Sequence, residues 1–230
     1  MPPTLILIRH AQALHNVNND LRDPPLSEFG FKQCFQLQAN LQAFDLAQQV
    51  GLIIASPMRR TLQTAEAALP WLLDRGVPIT LRGEWQENSD KPCDTGTATS
   101  VLSNEFPSFD FSTVFPEYPA KTGRWAFSDA AIEQRAEDCR RWLRNRPEKV
   151  IAVVSHSGFL RVGVSHKSYA NADYRVFNFG SDESSELVEW ELTESKGGGM
   201  GWSEQPATGQ ASIENKIQGP NEIVGQRSAE

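Results

Sequence analysis

The feature that most constrains the fold is a series of short apolar runs separated by longer segments with helical periodicity. The clearest runs are residues 4–8, 51–55 and 150–154. Each run is too short for a typical helix and is apolar at consecutive positions, as expected for a strand that is buried on both faces. Because such strands alternate with helices, we predict an α/β fold. This fold is a three-layer sandwich with a mostly parallel central sheet and helices on both faces.

Capping residues and prolines place the helices between these strands. Ser27 is a candidate N-cap for a helix that runs to about residue 44. Pro57 suits the first turn of a second helix, which Pro70 should bend or divide. Shorter strands are predicted at residues 79–81, 174–179 and 186–192.

The length of 230 residues suits one domain with a C-terminal tail. We interpret residues 1–193 as the domain and residues 194–230, which are rich in Gly, Ser and Gln, as a flexible or loosely docked tail. Residues 88–127 contain several prolines and lack sustained periodicity. A connection of that length inside a compact domain is usually functional, so we predict an insertion that lies over the active site.

The charge balance and the cysteines argue against several classes of protein. With 22 Lys and Arg against 29 Asp and Glu, the formal net charge is −7, whereas a general nucleic-acid binder needs a basic face. The three cysteines lack CxxC spacing and predict neither a disulfide framework nor a zinc site. The opening apolar run is too short for a signal sequence or a membrane span. We therefore expect a soluble, cytoplasmic protein that binds neither nucleic acid nor membrane.

Basic and imidazole side chains lie where three of the predicted strands end. The first strand ends at Arg9 and His10, the second is followed by Arg59 and Arg60, and the later one by His156. Ligands of α/β proteins bind at the carboxyl ends of the parallel strands. Guanidinium groups bind phosphate oxygens with paired hydrogen bonds, and a neutral imidazole can attack phosphorus. The pattern therefore indicates chemistry on a phosphoryl group.

Four blocks of sequence resemble the motifs of one family. Residues 9–16, RHAQALHN, resemble the RHG/RHA-x4-N signature of the histidine phosphatase superfamily, which includes the cofactor-dependent phosphoglycerate mutases. Residues 25–30 (PLSEFG), 56–65 (SPMRRTLQTA) and 153–158 (VVSHSG) are similar to three further motifs, in the family's order. The resemblance covers about residues 4–193. It implies hydrolysis of a small organic phosphate monoester through a phosphohistidine, with no metal or organic cofactor.

The resemblance also implies roles for individual residues. His10 would be the nucleophile, and neighbouring cations should lower its pKa so that it stays unprotonated near neutrality. Glu87 would protonate the leaving oxygen, with Glu84 as the competitor for this role. Arg59 should point away from the site, because adjacent helical residues lie about 100° apart. The groups implied to hold the phosphoryl group are Arg9, Asn16, Arg60 and the second catalytic histidine, His156.

Other interpretations of these residues are weaker or stay open. A metal site built on His10, His15 and His156 is rejected, because no carboxylate cluster accompanies them and the arginines would repel a cation. His15 is interpreted as a packing or pocket-wall residue. The aromatic residues within 88–127 form either that segment's own core or an apolar wall that selects a bulky phosphate. A phosphoglycerate-type phosphomutase and a non-catalytic phospholigand-binding protein are the alternative functions.

Overall fold

The strands of the chain form a six-stranded sheet in a computed structural model that describes residues 1–16, 21–181 and 184–198. They are β1 (Thr4–Arg9), β2 (Val50–Ala55), β3 (Ile79–Leu81), β4 (Val150–Ser155), β5 (Tyr174–Phe179) and β6 (Leu187–Glu189). Their order across the sheet is β3-β2-β4-β1-β5-β6. The neighbours from β3 to β1 pair in parallel, whereas β5 is antiparallel to both β1 and β6. The sheet is therefore mostly parallel, as predicted.

Helices cover both faces of this sheet. They are α1 (Glu28–Gln42), α2 (Arg59–Ala68), α3 (Pro70–Asp74), α4 (Thr99–Glu105), α5 (Asp129–Arg144), α6 (Ser157–Phe159), which a π-helical turn (Leu160–Val164) continues, and α7 (Glu191–Glu194). Along β1, Ile6 and Ile8 join an apolar cluster with α1 and α2, whereas Leu5 and Leu7 join a cluster with α5. This alternation confirms that β1 is buried on both faces and that the fold is a three-layer sandwich.

Local sequence signals account for several helix ends. The hydroxyl oxygen of Ser27 accepts a hydrogen bond from Gly30 N at 3.0 Å, so Ser27 caps α1 as predicted. Pro70 starts α3 directly after Leu69, where α2 has ended. The proline therefore divides the predicted long helix. Gly76, two residues after α3, has a φ of +78° that few other residues adopt.

Two predicted boundaries are wrong. Pro57 lies before α2 rather than in its first turn, because Ser56 N still donates to Val154 O and Met58 stays extended as the N-cap. The strand predicted at 186–192 ends at Glu189. Beyond this point the hydroxyl oxygen of Thr193 accepts from Val176 N, so a side chain continues the pairing to β5 while the backbone turns into α7.

Residues 88–127 pack as a structured segment against the sheet. They contain α4 and two short 3₁₀ turns, Pro92–Asp94 and Gly123–Trp125. Most of their aromatic side chains are buried, and the rings of Phe115 and Trp125 stack with centroids 4.0 Å apart. This packing favours a core function for the aromatic residues over an exposed apolar wall. That the segment is an insertion over the active site stays a prediction.

The last described residues pack beside β5. Gly198 N donates to Tyr174 O at 2.8 Å and to Asp173 Oδ1 at 3.1 Å. The predicted tail lies outside the described residues from position 199 onward. The division between residues 193 and 194 stays a prediction.

Candidate active site

Three strand ends meet at one edge of the sheet and bring distant residues together. β1 and β4 pair in parallel with Arg9 opposite Ser155, and His10 N donates to Ser155 O at 2.9 Å. The rings of His10 and His156 consequently lie side by side, with centroids 5.3 Å apart. Ser56, which follows β2, places its hydroxyl oxygen 2.9 Å from His156 Nε2. The structure therefore brings together the two histidines that the sequence placed at strand ends.

His10 is held as a neutral imidazole with a defined tautomer. Its Nδ1 lies 2.7 Å from the carbonyl oxygen of Ala11, and because a carbonyl only accepts, Nδ1 carries the ring proton. Nε2 then has the lone pair and accepts a hydrogen bond from Arg60 Nε at 3.2 Å. Burial, followed by the charges of Arg60 and Arg9, lowers the pKa of His10 well below its ordinary value. A potential nucleophile therefore faces a guanidinium group.

Arg60 is fully buried at the first turn of α2. Its Nη1 donates to the backbone oxygen of Cys93 at 2.7 Å, and its Nη2 lies 3.3 Å from Asp94 Oδ1. Arg59 points away and pairs with Glu105 at 2.5 Å. The two adjacent arginines therefore separate as their helical positions predict.

Arg9 adds a second buried guanidinium to the site. Its Nη1 donates to Tyr169 O at 2.8 Å. Burial lowers the pKa of Arg9 to about 10, and the nearby Glu87 carboxylate opposes this shift. The charges of Arg60 and Arg161 lower the pKa of Arg9 further. The guanidinium groups of Arg9, Arg60 and Arg161 are therefore close enough to interact. Arg9 remains charged at neutral pH, so the pocket is locally positive in a protein of negative net charge.

The Glu87 carboxylate lies against the first residues of α6. Its Oε1 accepts from Asn88 N and Phe159 N, both at 2.9 Å, and its Oε2 accepts from Gly158 N at 3.0 Å. A Cβ at position 158 would lie 2.5 Å from Oε1, so this close approach requires glycine. Burial, followed by the charge of Asp94, raises the pKa of Glu87 against the opposing effects of backbone donors and a guanidinium group.

Glu84 lies in different surroundings from Glu87. Its Oε1 forms an ion pair with Arg82 Nη2 at 2.6 Å, and the Arg82 guanidinium stacks over the ring of Trp142 at 4.3 Å. These contacts hold Glu84 toward α5. The geometry therefore favours Glu87 over Glu84 as the carboxyl group beside the arginines.

Comparison with known proteins gives the family. Residues 5–194 match the model described as histidine phosphatase superfamily (branch 1). The chain belongs to this superfamily.

It is 31% identical over 166 residues to a Schizosaccharomyces pombe protein named probable phosphatase, covering 69% of this chain and 76% of that protein. It is 30% identical over 196 residues to a phosphoglycerate mutase-like protein of Arabidopsis thaliana, covering 68% and 72%. Among solved structures, the alpha-ribazole phosphatase from Shigella flexneri shares the fold, with a TM-score of 0.52 at 18% identity over 81% of this chain and 94% of that one.

His15 and Asn16 of this histidine phosphatase differ in their relation to the site. The rings of His15 and His10 have centroids 5.7 Å apart, which agrees with the interpretation of His15 as a pocket-wall residue. Burial, followed by Arg60 and Arg9, lowers the pKa of His15 to about 2. Asn16 is exposed, and its Oδ1 accepts from Ala13 N at 3.0 Å. Its contact with a phosphoryl group stays a prediction.

Two charged residues of the histidine phosphatase site lie in no recognised motif. The Asp94 carboxylate lies beside Arg60, and the Lys121 ammonium donates to the backbone oxygen of Glu87. Burial, followed by the charge of Arg135, lowers the pKa of Lys121 to about 7. Both Asp94 and Lys121 come from the segment 88–127, whose path no local pattern defines. Their proximity to the histidines could be found only from the structure.

No group of three or more His, Cys, Asp or Glu side chains is arranged to hold a metal ion in residues 1–16, 21–181 and 184–198. Likewise, none of the helices in the described part of the chain combines the length and the apolar character needed to cross a membrane.

Proposed function

We propose that the chain is a phosphomonoesterase that works through a phosphohistidine on Nε2 of His10. The observation that carries this proposal is the contact between His10 Nε2, a neutral nitrogen with a lone pair, and the buried guanidinium of Arg60 at 3.2 Å. A phosphoryl group that binds to this guanidinium brings its phosphorus atom near the imidazole nitrogen. Membership of the superfamily and the name of the fungal relative support the same activity.

The first step transfers the phosphoryl group to the protein. Nε2 of His10 attacks phosphorus, an N–P bond forms, and the P–O bond to the leaving alcohol breaks. Arg9 and Arg60 compensate the negative charge on the phosphoryl oxygens, and such positioning and charge stabilisation account for most catalysis of phosphoryl transfer. Protonated Glu87 gives its proton to the leaving oxygen. His156 and Asn16 complete the proposed contacts with the phosphoryl group.

The second step releases phosphate. Water attacks the phosphorus atom, and the Glu87 carboxylate takes a proton from that water. The N–P bond breaks, and its electron pair returns to Nε2 of His10. Glu87 is then protonated again and His10 is neutral, so the site is ready for another substrate molecule.

A small organic phosphate monoester is the proposed substrate. No metal ion or organic cofactor takes part, because Arg9 and Arg60 supply the positive charge that metal ions provide in other phosphatases. The net charge of −7 supports a protein that binds neither nucleic acid nor acidic membrane surfaces. A cytoplasmic location is part of the same proposal.

A phosphomutase of the phosphoglycerate type is the second candidate, because relatives from Arabidopsis thaliana are named phosphoglycerate mutase-like. In that reaction the phosphohistidine would return its phosphoryl group to a hydroxyl group of the product rather than to water. Incubating the protein with 3-phosphoglycerate, with and without a bisphosphate primer, separates the two. Release of inorganic phosphate indicates the phosphatase, and primer-dependent formation of 2-phosphoglycerate indicates the mutase.

Hydrolysis of p-nitrophenyl phosphate by His10→Ala and wild type tests the proposal. The substitution should abolish turnover and also the acid-labile, base-stable phosphoryl label that rapid quenching traps on the wild type. His166→Asn is the matched control, because His166 is exposed on a turn and asparagine tolerates its φ of +55°. Turnover by His10→Ala, or a wild type that hydrolyses the ester without carrying the label, would exclude a His10 phosphoenzyme.

A further inference from the structure

The segment that follows Glu87 turns back onto the guanidinium of Arg60. The backbone oxygen of Cys93 accepts from Nη1 at 2.7 Å, and Asp94 Oδ1 lies 3.3 Å from Nη2. Nε of Arg60 donates to His10 Nε2 at 3.2 Å. Each nitrogen of this buried guanidinium therefore has a different partner. Two of the three partners come from the turn Pro92–Asp94, which belongs to none of the four sequence motifs.

The carboxylate of Asp94 is itself fixed. Its Oδ2 accepts from the hydroxyl group of Ser89 at 2.6 Å, and Ser89 is only 2% exposed. Because one oxygen is held by Ser89 and the other lies beside Arg60, the carboxylate has one preferred orientation. The position of the turn therefore determines how the plane of the Arg60 guanidinium is oriented.

We propose that Asp94 is a positioning residue of this phosphatase, which holds the Arg60 guanidinium with Nε toward His10 and leaves a fixed negative charge beside the phosphate pocket. The inference rests on the proposed function, because it gives Asp94 a role in the phosphorylation of His10. It gives a function to a residue of the segment 88–127, which lies outside the four sequence motifs.

The negative charge of Asp94 has two opposing consequences. It repels a dianionic phosphoryl group, so it weakens the binding of substrate and of product phosphate alike. It also disfavours the ionised form of Glu87 and contributes to the raised pKa of that carboxyl group. The charge of Asp94 thus lowers the affinity of the site for phosphate. It also helps to keep Glu87 protonated, so that Glu87 can act as the acid for the leaving group.

Other charges near Glu87 act in the opposite sense to Asp94. Among the described residues, the positive groups whose charges interact with Glu87 include Arg60, next to Asp94, Arg9 at the end of β1, Lys121 in the segment 88–127 and Arg135 on α5. Within the described part of the chain, the Asp94 carboxylate is the negative group that raises the pKa of Glu87. Removing its charge should therefore lower the pKa of Glu87.

Two substitutions separate the effect of the Asp94 charge from the effect of its contact with Arg60. Asp94→Asn removes the charge and keeps an oxygen that accepts from Arg60, whereas Asp94→Ala removes both. Glu105→Gln is the matched control, because it removes a carboxylate from the adjacent Arg59, which points away from the site. For each protein we would measure the rate of His10 phosphorylation by p-nitrophenyl phosphate and by glycerol 1-phosphate against pH, and the affinity for inorganic phosphate by calorimetry.

Asp94→Asn should bind inorganic phosphate about three- to tenfold more tightly, as expected for the loss of one nearby like charge. With glycerol 1-phosphate, the alkaline limb of the pH profile for His10 phosphorylation in Asp94→Asn should move to lower pH. At pH values below that limb, the rate should stay within about twofold of wild type. Asp94→Ala should in addition lower the maximal phosphorylation rate about tenfold, because Arg60 loses one of its partners. Glu105→Gln should match the wild type in every measurement.

An unchanged phosphate affinity together with an unchanged alkaline limb in Asp94→Asn would overturn the inference. Equal losses of rate in Asp94→Asn and Asp94→Ala without a shift in pH dependence would also overturn it, since they indicate a merely structural role. If Asp94→Ala fails to fold, Asp94→Asn alone decides. Failure of the proposed function is recognised separately, because the wild type would then form no phosphohistidine, whereas the phosphate affinities of wild type and Asp94→Asn can still be compared.

Discussion

His10 and Glu87 must hold opposite protonation states for the proposed first step. The pKa of His10 is lowered by burial and by adjacent guanidinium groups, so His10 stays neutral to well below its ordinary titration range. The pKa of Glu87 is raised by burial and by Asp94, so Glu87 keeps its proton to higher pH than an exposed glutamate. We therefore expect a bell-shaped pH dependence of His10 phosphorylation, with an acid limb below the ordinary pKa of histidine and an alkaline limb above that of glutamate. Single-turnover measurements against pH would check this.

The leaving group allows the alkaline limb to be assigned to Glu87. Glu87→Gln should slow phosphorylation by glycerol 1-phosphate about 10²- to 10⁴-fold, because the alkoxide then leaves without a proton. It should change the reaction with p-nitrophenyl phosphate far less, since nitrophenolate is stable without a proton. Equal slowing with both esters would show that Glu87 does not act as the acid.

Arg60 and Arg59 form a natural pair for testing the phosphate pocket. Arg60→Lys should lower the rate of His10 phosphorylation about 10²- to 10³-fold, because one ammonium group cannot contact His10, Cys93 O and Asp94 together. Arg59→Lys should stay within about twofold of wild type, because lysine keeps the positive charge beside Glu105 and Asp23 and Arg59 has no contact with His10. Single-turnover rates of both variants give the comparison, and similar losses in the two would contradict the assignment of Arg60 to the pocket.

At the scale of secondary-structure elements, what can be predicted depends on whether the signal is local. The runs that form β1, β2 and β4 are recognisable from consecutive apolar residues, and the carboxyl-end rule then places His10 and His156 together. The start of α2 and the end of β6 depend on hydrogen bonds to distant strands, so local sequence misplaces them. Asp94 and Lys121 reach the site through a segment whose path is set by tertiary packing, which no periodicity encodes.

The junction between β4 and α6 gives a prediction for an element. Gly158→Ala would place a Cβ 2.5 Å from Glu87 Oε1, so either the carboxylate or the start of α6 must move. We expect a loss of about 1–3 kcal/mol in the free energy of unfolding, and slower phosphorylation by glycerol 1-phosphate as Glu87 is displaced. Gly51→Ala is the control, because a Cβ there meets only the Glu148 side chain at 3.4 Å. Denaturant unfolding and single-turnover rates measure both effects, and a Gly158→Ala protein that matches Gly51→Ala in both would contradict the account of this junction.

At the scale of the whole molecule, hydrogen bonds and an ion pair connect the C-terminal part of the described chain to β5. The guanidinium of Arg175, which is fully buried on β5, donates to Thr193 O at 2.7 Å and pairs with Glu189 at 2.7 Å. β5 pairs with β1, and His10 directly follows β1. The predicted domain boundary at 193 therefore falls within a set of hydrogen bonds that continues to Gly198.

Two shortened chains test where the domain ends. A chain that ends at Gly198 keeps these contacts, so we expect its melting temperature and its hydrolysis of p-nitrophenyl phosphate to match the full chain closely. A chain that ends at Leu192 lacks the carbonyl group that Arg175 contacts and the Thr193 hydroxyl that pairs with Val176. The buried Val176 N then loses this acceptor, which costs about 1–3 kcal/mol, whereas Arg175 keeps its pairing with Glu189. The melting temperature should therefore fall by about 5 °C. If the chain ending at Gly198 loses as much stability as the one ending at Leu192, residues 199–230 contribute to the domain, and their interpretation as a tail is wrong.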